Sequence, residues 1–382
     1  MKKNSFRGTI GMAAVAAMVF GLLVAGCGSS PKAAAPDLTG VSSYYVRADG
    51  DDKNAGTSEA APFKTLQRAV DAAAKTSVKK ITVIGTIAGN TKIQDADPSV
   101  QEIKLIILDG ITTLVADPSG DERDPDSITI TGKPGASGQE RAVLTSPGGD
   151  YTVSINKSTV IFENIEISGN PSDPAFFVED SHLTLSTGTK IINNSSTEAG
   201  GMKYGDGGGI IAVRSILVMC DNAEVSGNKA TEQGGGLFLQ DSILAMRNQS
   251  KITGNNAGKP GGGVFLQDSA LIMYDTAQIT GNESSNLGGG IVAIGYEIYS
   301  SIAMNGDSKI LSNKAAVGGG VRLSDHAHIT LNDSAVVSDN TATEIGGGVY
   351  GQGANAAVNK GANAVIENNQ APEAPDSNFT FE

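Results

Sequence analysis

The sequence is poor in the residues that crosslink a chain or build a large aromatic core. Its 382 residues include two cysteines and no tryptophan, and aromatic residues make up 5% of the total. With so few cysteines, stability must come from burial and hydrogen bonding rather than from a disulfide framework. The scarcity of aromatic residues, together with 49 glycines, argues against a doubly wound α/β enzyme.

Positive charge is also scarce. The chain has 28 lysine and arginine residues against 41 aspartate and glutamate residues, which gives a net charge of -13. Such a chain repels the phosphates of nucleic acids and anionic lipid headgroups, so we expect no nucleic-acid partner. The 39% of hydrophobic residues stand in regular positions, which argues against a disordered chain.

Residues 1–26 have the layout of a secretory signal peptide. Three basic residues precede an apolar run that glycines interrupt, and small residues lead up to Cys27. A membrane span needs about 20 predominantly apolar residues, so this run is marginal for one, and a transmembrane anchor is the alternative. Residues 28–37 lack apolar periodicity, and we expect residues 27–43 to form a flexible tether.

The residues Leu-Val-Ala-Gly-Cys at positions 23–27 resemble the lipobox of bacterial lipoproteins. The resemblance implies that Cys27 is lipidated on its thiol and becomes the mature N-terminus, which leaves Cys220 without an intramolecular disulfide partner. Several acyl chains together attach a protein stably to a membrane. We therefore expect an exported protein that is anchored to the cell envelope by its N-terminal lipid. Gly28 is not the aspartate that marks inner-membrane retention, so the expected location is the outer membrane or cell surface.

A glycine triplet recurs through the second half of the chain at spacings of 27 to 30 residues. The repeating units are rich in glycine, serine, asparagine, threonine and β-branched residues, a composition that favours strands and turns over helices. A repeat of this length indicates a solenoid. The triplets begin at Gly207, Gly234, Gly261, Gly288, Gly318 and Gly346.

Columns of aliphatic residues recur in register with the glycines. One follows each triplet, a second pairs leucine or isoleucine mostly with methionine, and a third contains valine or isoleucine. Because side chains alternate along a strand, these columns predict three short strands per unit, each buried by the coils above and below. Asparagines follow the third strand at a fixed distance, and we expect their stacked amides to hydrogen-bond along the solenoid. These asparagines are Asn228, Asn255, Asn282, Asn313 and Asn340.

These patterns predict an all-β protein, a right-handed parallel β-helix with about three short strands per coil. The β-helix is expected to span residues 80–370, with its regular repeats at 207–350. Residues 44–79 are predicted to form a strand, a turn and an N-terminal capping α-helix at 63–75, because apolar residues recur there at helical spacing. Residues 371–382 are polar and contain proline, and we expect them to form a C-terminal tail.

Two stretches resemble known families. Residues 44–74 (YYVRADGDDKNAGTSEAAPFKTLQRAVDAAA) resemble the opening of secreted β-helix proteins of the pectate-lyase-like superfamily. Residues 191–370 are similar in repeat type to chlamydial polymorphic outer membrane proteins, which pair a GGA-aliphatic motif with FxxN. Here glycine replaces the alanine, and valine or isoleucine replaces the phenylalanine. The second resemblance implies surface exposure and adhesion, whereas the first implies the alternative of a polysaccharide lyase or glycoside hydrolase.

One column of the first strand is predicted to point outward and to form an interaction stripe for a protein or polysaccharide ligand. It is largely apolar, and exposed apolar patches often mark interaction sites. The alternative is a stripe that is covered by a neighbouring loop or turn. The column contains Ile211, Phe238, Phe265, Val292, Arg322 and Tyr350.

Other candidate residues each have a plainer alternative. Asp49, Asp51, Asp52 and Asn54 are dense enough in oxygen to bind Ca²⁺, but they also suit a polar turn. His326 and His328 share one face of the predicted strand and would bind zinc only with further ligands; an exposed pair is the alternative. Cys220 is either reactive or a partly buried thiol. No catalytic or cofactor motif is recognised, so the expected function is adhesion, ligand binding or envelope scaffolding.

Overall fold

The computed structural model describes residues 40–96, 127–135, 141–197, 206–296, 298–353, 355–377 and 379. All of them belong to one compact unit, residues 37–382. The predicted signal peptide, Cys27 and most of the predicted tether lie outside the described residues. The described residues form a right-handed parallel β-helix, which confirms the predicted fold class.

The longest stack, sheet 1, has 11 parallel strands. The strands are Tyr44–Arg47, Lys80–Ile84, Ile128–Lys133, Thr159–Glu163, His182–Leu185, Ile216–Met219, Ile243–Met246, Ala270–Met273, Ser300–Met304, Ala327–Leu331 and Ala357–Lys360.

Sheet 2 has nine parallel strands, and each of them precedes a strand of sheet 1 in the chain, from residue 91 onward. The strands are Thr91–Gln94, Val153–Asn156, Phe176–Glu179, Ile210–Val213, Leu237–Gln240, Val264–Gln267, Ile291–Ile294, Val321–Leu323 and Val349–Gly351.

Sheet 3 follows sheet 1 and has 10 parallel strands. The strands are Thr86–Ala88, Ala142–Thr145, Ile165–Ser168, Lys190–Ile192, Glu224–Ser226, Lys251–Thr253, Gln278–Thr280, Lys309–Leu311, Val336–Ser338 and Val365–Glu367.

A short fourth strand, additional to the three predicted strands per coil, completes the coils of the regular array. Sheet 4 has six parallel strands and lies between sheet 3 and the glycine triplet. In Lys229–Ala230, the lysine is exposed and the alanine is buried. A strand of two residues is too short to show an alternating pattern. The strands are Ser195–Ser196, Lys229–Ala230, Asn256–Ala257, Glu283–Ser284, Lys314–Val317 and Thr341–Ile345.

Helix α1 (Leu66–Lys75) lies at the N-terminal end of the stack, as predicted. The Thr65 side chain caps it by accepting a hydrogen bond from the backbone N–H of Arg68 at 3.2 Å. Its apolar face, which includes Leu66, Ala69 and Val70, is buried. Within the described residues, no helix is long and apolar enough to cross a membrane.

The asparagine ladder runs through the buried corner between sheets 3 and 4. In each step, the backbone N–H of one asparagine donates to the side-chain oxygen of the next, as from Asn228 to Asn255 at 2.9 Å. The ladder ends at Asp376, whose carboxylate accepts both N–H groups of Asn369. These contacts support a structural role for the asparagines. The ladder contains Asn170, Asn194, Asn228, Asn255, Asn282, Asn313, Asn340 and Asn369.

The three glycines of a triplet have different reasons to lack a side chain. Gly261 has φ +80°, a conformation that other residues rarely adopt. A Cβ on Gly262 would lie 2.5 Å from the carbonyl oxygen of Glu283, and one on Gly263 would lie 3.0 Å from the amide nitrogen of Asn282. Positive φ and close backbone approach therefore both occur within one triplet.

The C-terminal residues continue the stacking. Gln370, Glu373 and Ser377 form isolated parallel bridges to the coil before them. Phe379 is partly buried against the core, and a Cβ on Gly351 would overlap its ring. A large aromatic ring therefore fills the space that the glycine leaves in the last full coil.

Candidate binding site at the corner between sheets 1 and 2

In most coils, sheet 2 turns into sheet 1 through a minimal corner. One residue with positive φ, such as Arg214 or Asp241, is followed by a buried serine. The serines form a second ladder, in which the N–H of Ser215 donates to Ser242 Oγ and the N–H of Ser242 donates to Ser269 Oγ, both at 3.0 Å. Because each hydroxyl also donates to a carbonyl of its own coil, the corner is fully hydrogen-bonded and projects little into solvent.

The last three coils replace this corner with longer loops. The first loop lies between Ile294 and Ser300, the second between Leu323 and Ala327, and the third between Gly351 and Ala357. The backbone N–H of Gly295 in the first loop donates to the carbonyl oxygen of Asp325 in the second at 3.0 Å. A Cβ on Gly353 in the third loop would overlap the carboxylate of Asp325. The three loops therefore stack on one another, and we call them the corner loops.

The first corner loop is held firmly by the coil before it. One carboxylate oxygen of the buried Asp268 accepts hydrogen bonds from the backbone N–H groups of Tyr296 at 2.7 Å and Ile298 at 3.2 Å. The ring of Tyr299 packs edge-on against His326, with centroids 5.3 Å apart, and tilts towards His328 at 6.0 Å. Among the described residues, Tyr296 is the one large hydrophobic residue that is exposed, with 66% of its surface accessible.

No known family matches the chain. A scan against models of protein families, a search of curated proteins and a search of solved structures each return no match. The parallel β-helix is therefore established by the strand pairing alone. The predicted relationships to pectate-lyase-like proteins and to polymorphic outer membrane proteins stay predictions.

The predicted interaction stripe is in register but largely buried. Its six residues pair Cα to Cα from coil to coil, which confirms that they form one column. Phe238 and Tyr350 are partly exposed, whereas the other four are 0 to 6% exposed. The accessible part of the column is therefore limited, and its role in interaction stays a prediction. The four buried residues are Ile211, Phe265, Val292 and Arg322.

The aromatic rings of the column pack on one another rather than face solvent. Phe238 and Phe265 stack with centroids 5.4 Å apart and an interplanar angle of 4°. Phe177 lies one coil before Ile211 and pairs with it. Its ring stacks in the same way on the ring of Tyr151, with centroids 5.0 Å apart. Because the ring faces are turned along the solenoid axis, these residues stabilise coil stacking and leave little flat surface for a ligand.

At its C-terminal end the column meets the corner loops through Arg322. Its guanidinium lies 5.0 Å from the centroid of the Tyr350 ring and donates to the side-chain oxygen of Gln352 at 2.7 Å. Burial lowers the pKa of Arg322, because the charged form is poorly solvated. Arg322 thus orients Gln352, an exposed residue of the third corner loop.

The two histidines belong to the corner rather than to one strand face. His326 has φ +52° and precedes the strand Ala327–Leu331, whereas His328 lies within that strand and is 6% exposed. The expectation of an exposed pair on one strand is therefore wrong, because His328 is buried and Tyr299 packs against both rings. Within the described residues, no group of three or more histidine, cysteine, aspartate or glutamate side chains is arranged to hold a metal ion.

The acidic stretch near the N-terminus makes turn and cap contacts. Asp52 accepts hydrogen bonds from the backbone N–H groups of Lys64 and Thr65, each at 2.9 Å, and from the hydroxyl of Thr65. Asp51 accepts one from the backbone of Lys53, Asp49 pairs with Arg47, and the Asn54 amide donates to the Pro62 carbonyl. Asp52 thus links the turn to the start of α1, and the other three side chains make contacts within residues 47–62.

Cys220 is a partly buried free thiol. Burial is the largest influence on its pKa, which is raised, so the reactive thiolate is disfavoured. Of the two interpretations drawn from the sequence, this geometry fits the partly buried thiol.

Carboxylates and a basic side chain, the groups that a polysaccharide lyase or hydrolase would need, also meet near one of these corners. Arg214 donates to Asp180 and Glu179, each at 2.8 Å, and the Asn156 amide donates to Glu179 at 3.0 Å. Because both carboxylates are occupied by the guanidinium, the group is arranged as an ion network between neighbouring coils.

Proposed function

We propose that this chain is a lipid-anchored protein of the bacterial cell envelope that binds an extracellular ligand through its corner loops and thereby acts in adhesion. The observation that carries the proposal is the position of Tyr296. It is 66% exposed, yet two amides of its loop are fixed by the buried carboxylate of Asp268. A preorganised tyrosine contributes binding area at low entropic cost.

The distribution of the loops supports the same proposal. In solenoid proteins, insertions collect on one side of the stack, and that side often binds ligands. Here the corner loops occur in three successive coils and contact one another through Gly295, Asp325 and Gly353. The buried stripe and the two ladders account for most other conspicuous residues, which leaves the corner loops as the best-supported ligand surface.

The anchor rests on the sequence at positions 23–27 and on the net charge of -13, which disfavours direct adsorption to anionic headgroups. The test is to express the full chain with its leader in bacteria that are fed an alkyne-tagged fatty acid. We expect the label on the wild-type chain and on the Cys220→Ser control, but not on Cys27→Ser. Equal labelling of Cys27→Ser and wild type would contradict lipidation at this residue.

Adhesion is tested with the same full chain on intact cells and after solubilisation. Protease added to intact cells should cleave the wild-type protein if it is displayed at the surface. Pectin, alginate, neutral polysaccharides and extracellular matrix proteins are immobilised as test ligands. The solubilised chain should bind at least one of them saturably, without cleaving it. Release of shortened sugar products would instead support the polysaccharide lyase or hydrolase alternative, and absence of all binding would contradict the proposed function.

A further inference from the structure

Tyr296 differs from most aromatic residues of the β-helix because it is 66% exposed. Among the described residues, no ring or cation stacks on it, whereas Tyr299 packs on His326 and Tyr350 packs under Arg322. An aromatic ring with an open face and a hydroxyl at its edge suits a ligand that has both apolar and hydroxyl-bearing surfaces.

The polar groups of the two corner loops that follow include both acceptors and donors. Asp325 is exposed, and its backbone oxygen is bonded to the residue before Tyr296. Gln352 is also exposed, and because Arg322 occupies its oxygen, its amide nitrogen remains to donate. Asn355 adds a second exposed amide in the third loop. A carboxylate that accepts and amides that donate are the complement of a hydroxyl-rich ligand.

The charge of the corner excludes one class of polymer. The described residues of the corner loops contain no lysine or arginine, and Arg322 beside them is 5% exposed. Asp325 is exposed, and the chain as a whole carries a net charge of -13. An anionic polysaccharide would therefore be repelled both at the site and at a distance.

From this geometry we infer that the corner loops bind an uncharged polysaccharide, with one sugar ring stacked on Tyr296 and its hydroxyl groups hydrogen-bonded to Asp325 and Gln352. This inference rests on the proposed function and names its ligand class. Stacking fixes the plane of the sugar, and the carboxylate and amide select for hydroxyl groups around it. The stacked loops supply these contacts from three coils, so the ligand is recognised as a chain segment.

The test is affinity electrophoresis of the full chain, solubilised in a polyoxyethylene detergent because that headgroup contains no sugar. Native gels contain dextran, galactomannan or polygalacturonate. We expect at least one of the two neutral polymers to retard the protein, and polygalacturonate not to. Tyr296→Ala should weaken binding about tenfold or more, whereas Tyr296→Phe, which keeps the ring, should stay within about twofold of wild type.

The controls separate loss of the site from loss of the fold. Tyr296 is 66% exposed, so we expect Tyr296→Ala to keep the far-UV circular dichroism and melting temperature of the wild type. Asn256→Ala, at an exposed position of sheet 4, should bind as the wild type does. Equal retardation by polygalacturonate, or wild-type binding by Tyr296→Ala, would overturn the inference. Binding to a matrix protein without binding to either neutral polymer would overturn it and leave the proposed function standing.

Discussion

Replacing Asn255 with alanine should destabilise the β-helix by about 4 kcal/mol. The side-chain oxygen of Asn255 accepts from the backbone and side-chain nitrogens of Asn228 at 2.9 and 3.0 Å. Its amide nitrogen donates to the carbonyl of Val225 and to the side-chain oxygen of Asn282, both at 3.0 Å. Each such bond contributes about 1 kcal/mol net, so four lost bonds give the stated value. Asn255 is 1% exposed, so bulk water has little access to the groups left without partners.

The measurement is urea denaturation followed by far-UV circular dichroism, with Asn256→Ala as the matched control. Asn256 is the next residue along the chain, and its side chain is exposed on sheet 4. The control should lie within about 0.5 kcal/mol of wild type, since exposed substitutions away from special features rarely cost more. A solenoid can unfold in more than one step. The free energies of unfolding are therefore compared for the transition in which Asn255→Ala and Asn256→Ala differ. A loss below about 1 kcal/mol for Asn255→Ala would refute the assignment of stability to the ladder.

Asn255→Asp tests the direction of the ladder. The substituted side chain still accepts from Asn228, but in its ionised form it has no donor for Val225 or Asn282 and brings two oxygens together in a buried corner. We expect a larger loss than for alanine, and one that grows as the pH rises and the carboxylate ionises. The protein uses a carboxylate at Asp376, where the ladder ends and no donor is needed. Equal stability of the aspartate and alanine variants at neutral pH would contradict this account.

Three further predictions concern other parts of the stack and use the same denaturation assay. Gly262→Ala should cost about 3 kcal/mol because its Cβ would overlap backbone atoms that cannot move. Gly254→Ala, with open space around it but φ +62°, should cost about 1 kcal/mol, and equal losses would contradict the overlap argument. Ser250→Ala should be neutral or stabilising, since its buried hydroxyl has no hydrogen-bond partner among the described residues, whereas Ser242→Ala should cost about 2 kcal/mol because the serine ladder is broken. Burial raises the pKa of Asp206 to about 6, with a contribution from Glu232. The ionised form therefore opposes folding, so Asp206→Asn should match wild type below about pH 4 and exceed its stability above about pH 6.

The inward columns could be predicted from the sequence because the same pattern of aliphatic residues recurs in every repeat. Val225, Ile252 and Ile279 stand at the same distance from their glycines, and the structure places them in one buried column of sheet 3. The asparagine ladder followed from the same alignment. In both cases the residues recur in the sequence with the same period as the contacts between successive coils. Aligning the repeats therefore gives the register in which the strands pair.

Two regular features were missed for different reasons. Sheet 4 consists mostly of strands of two residues, such as Asn256–Ala257, which are too short to carry a periodic signal. The serine ladder did leave a signal, since Ser215, Ser242 and Ser269 recur at one position of the repeat. A small polar residue at a corner is compatible with an exposed turn, however, and only the structure shows that these serines are 0% exposed.

The outward column shows the limit of the alternation argument. Alternation tells which side of a strand a residue faces, but it does not tell whether that side is open to solvent. The first glycine of each triplet lies close to the outward residue of its own coil. For example, a Cβ on Gly261 would lie 3.0 Å from the Cβ of Phe265. The glycine corner thus covers one flank of the column, while neighbouring rings cover the residue along the axis.

The corner loops could not be located from the glycine spacing because two changes of length partly cancel. The interval from Ser269 to Ser300 is 31 residues, whereas that from Ser242 to Ser269 is 27. The interval between the glycine triplets on either side of the first corner loop lengthens less, because the turn that leads into the second of these triplets is shorter. The strands on both sides keep their pairing, as Ile291 with Val321 and Ile302 with Ile329 show. The added residues are therefore not needed for stacking. The first loop is held instead by its own contacts, such as the hydrogen bonds from Tyr296 and Ile298 to Asp268. These bonds hold the backbone of an exposed tyrosine in place, which is the arrangement that the proposed ligand contact requires.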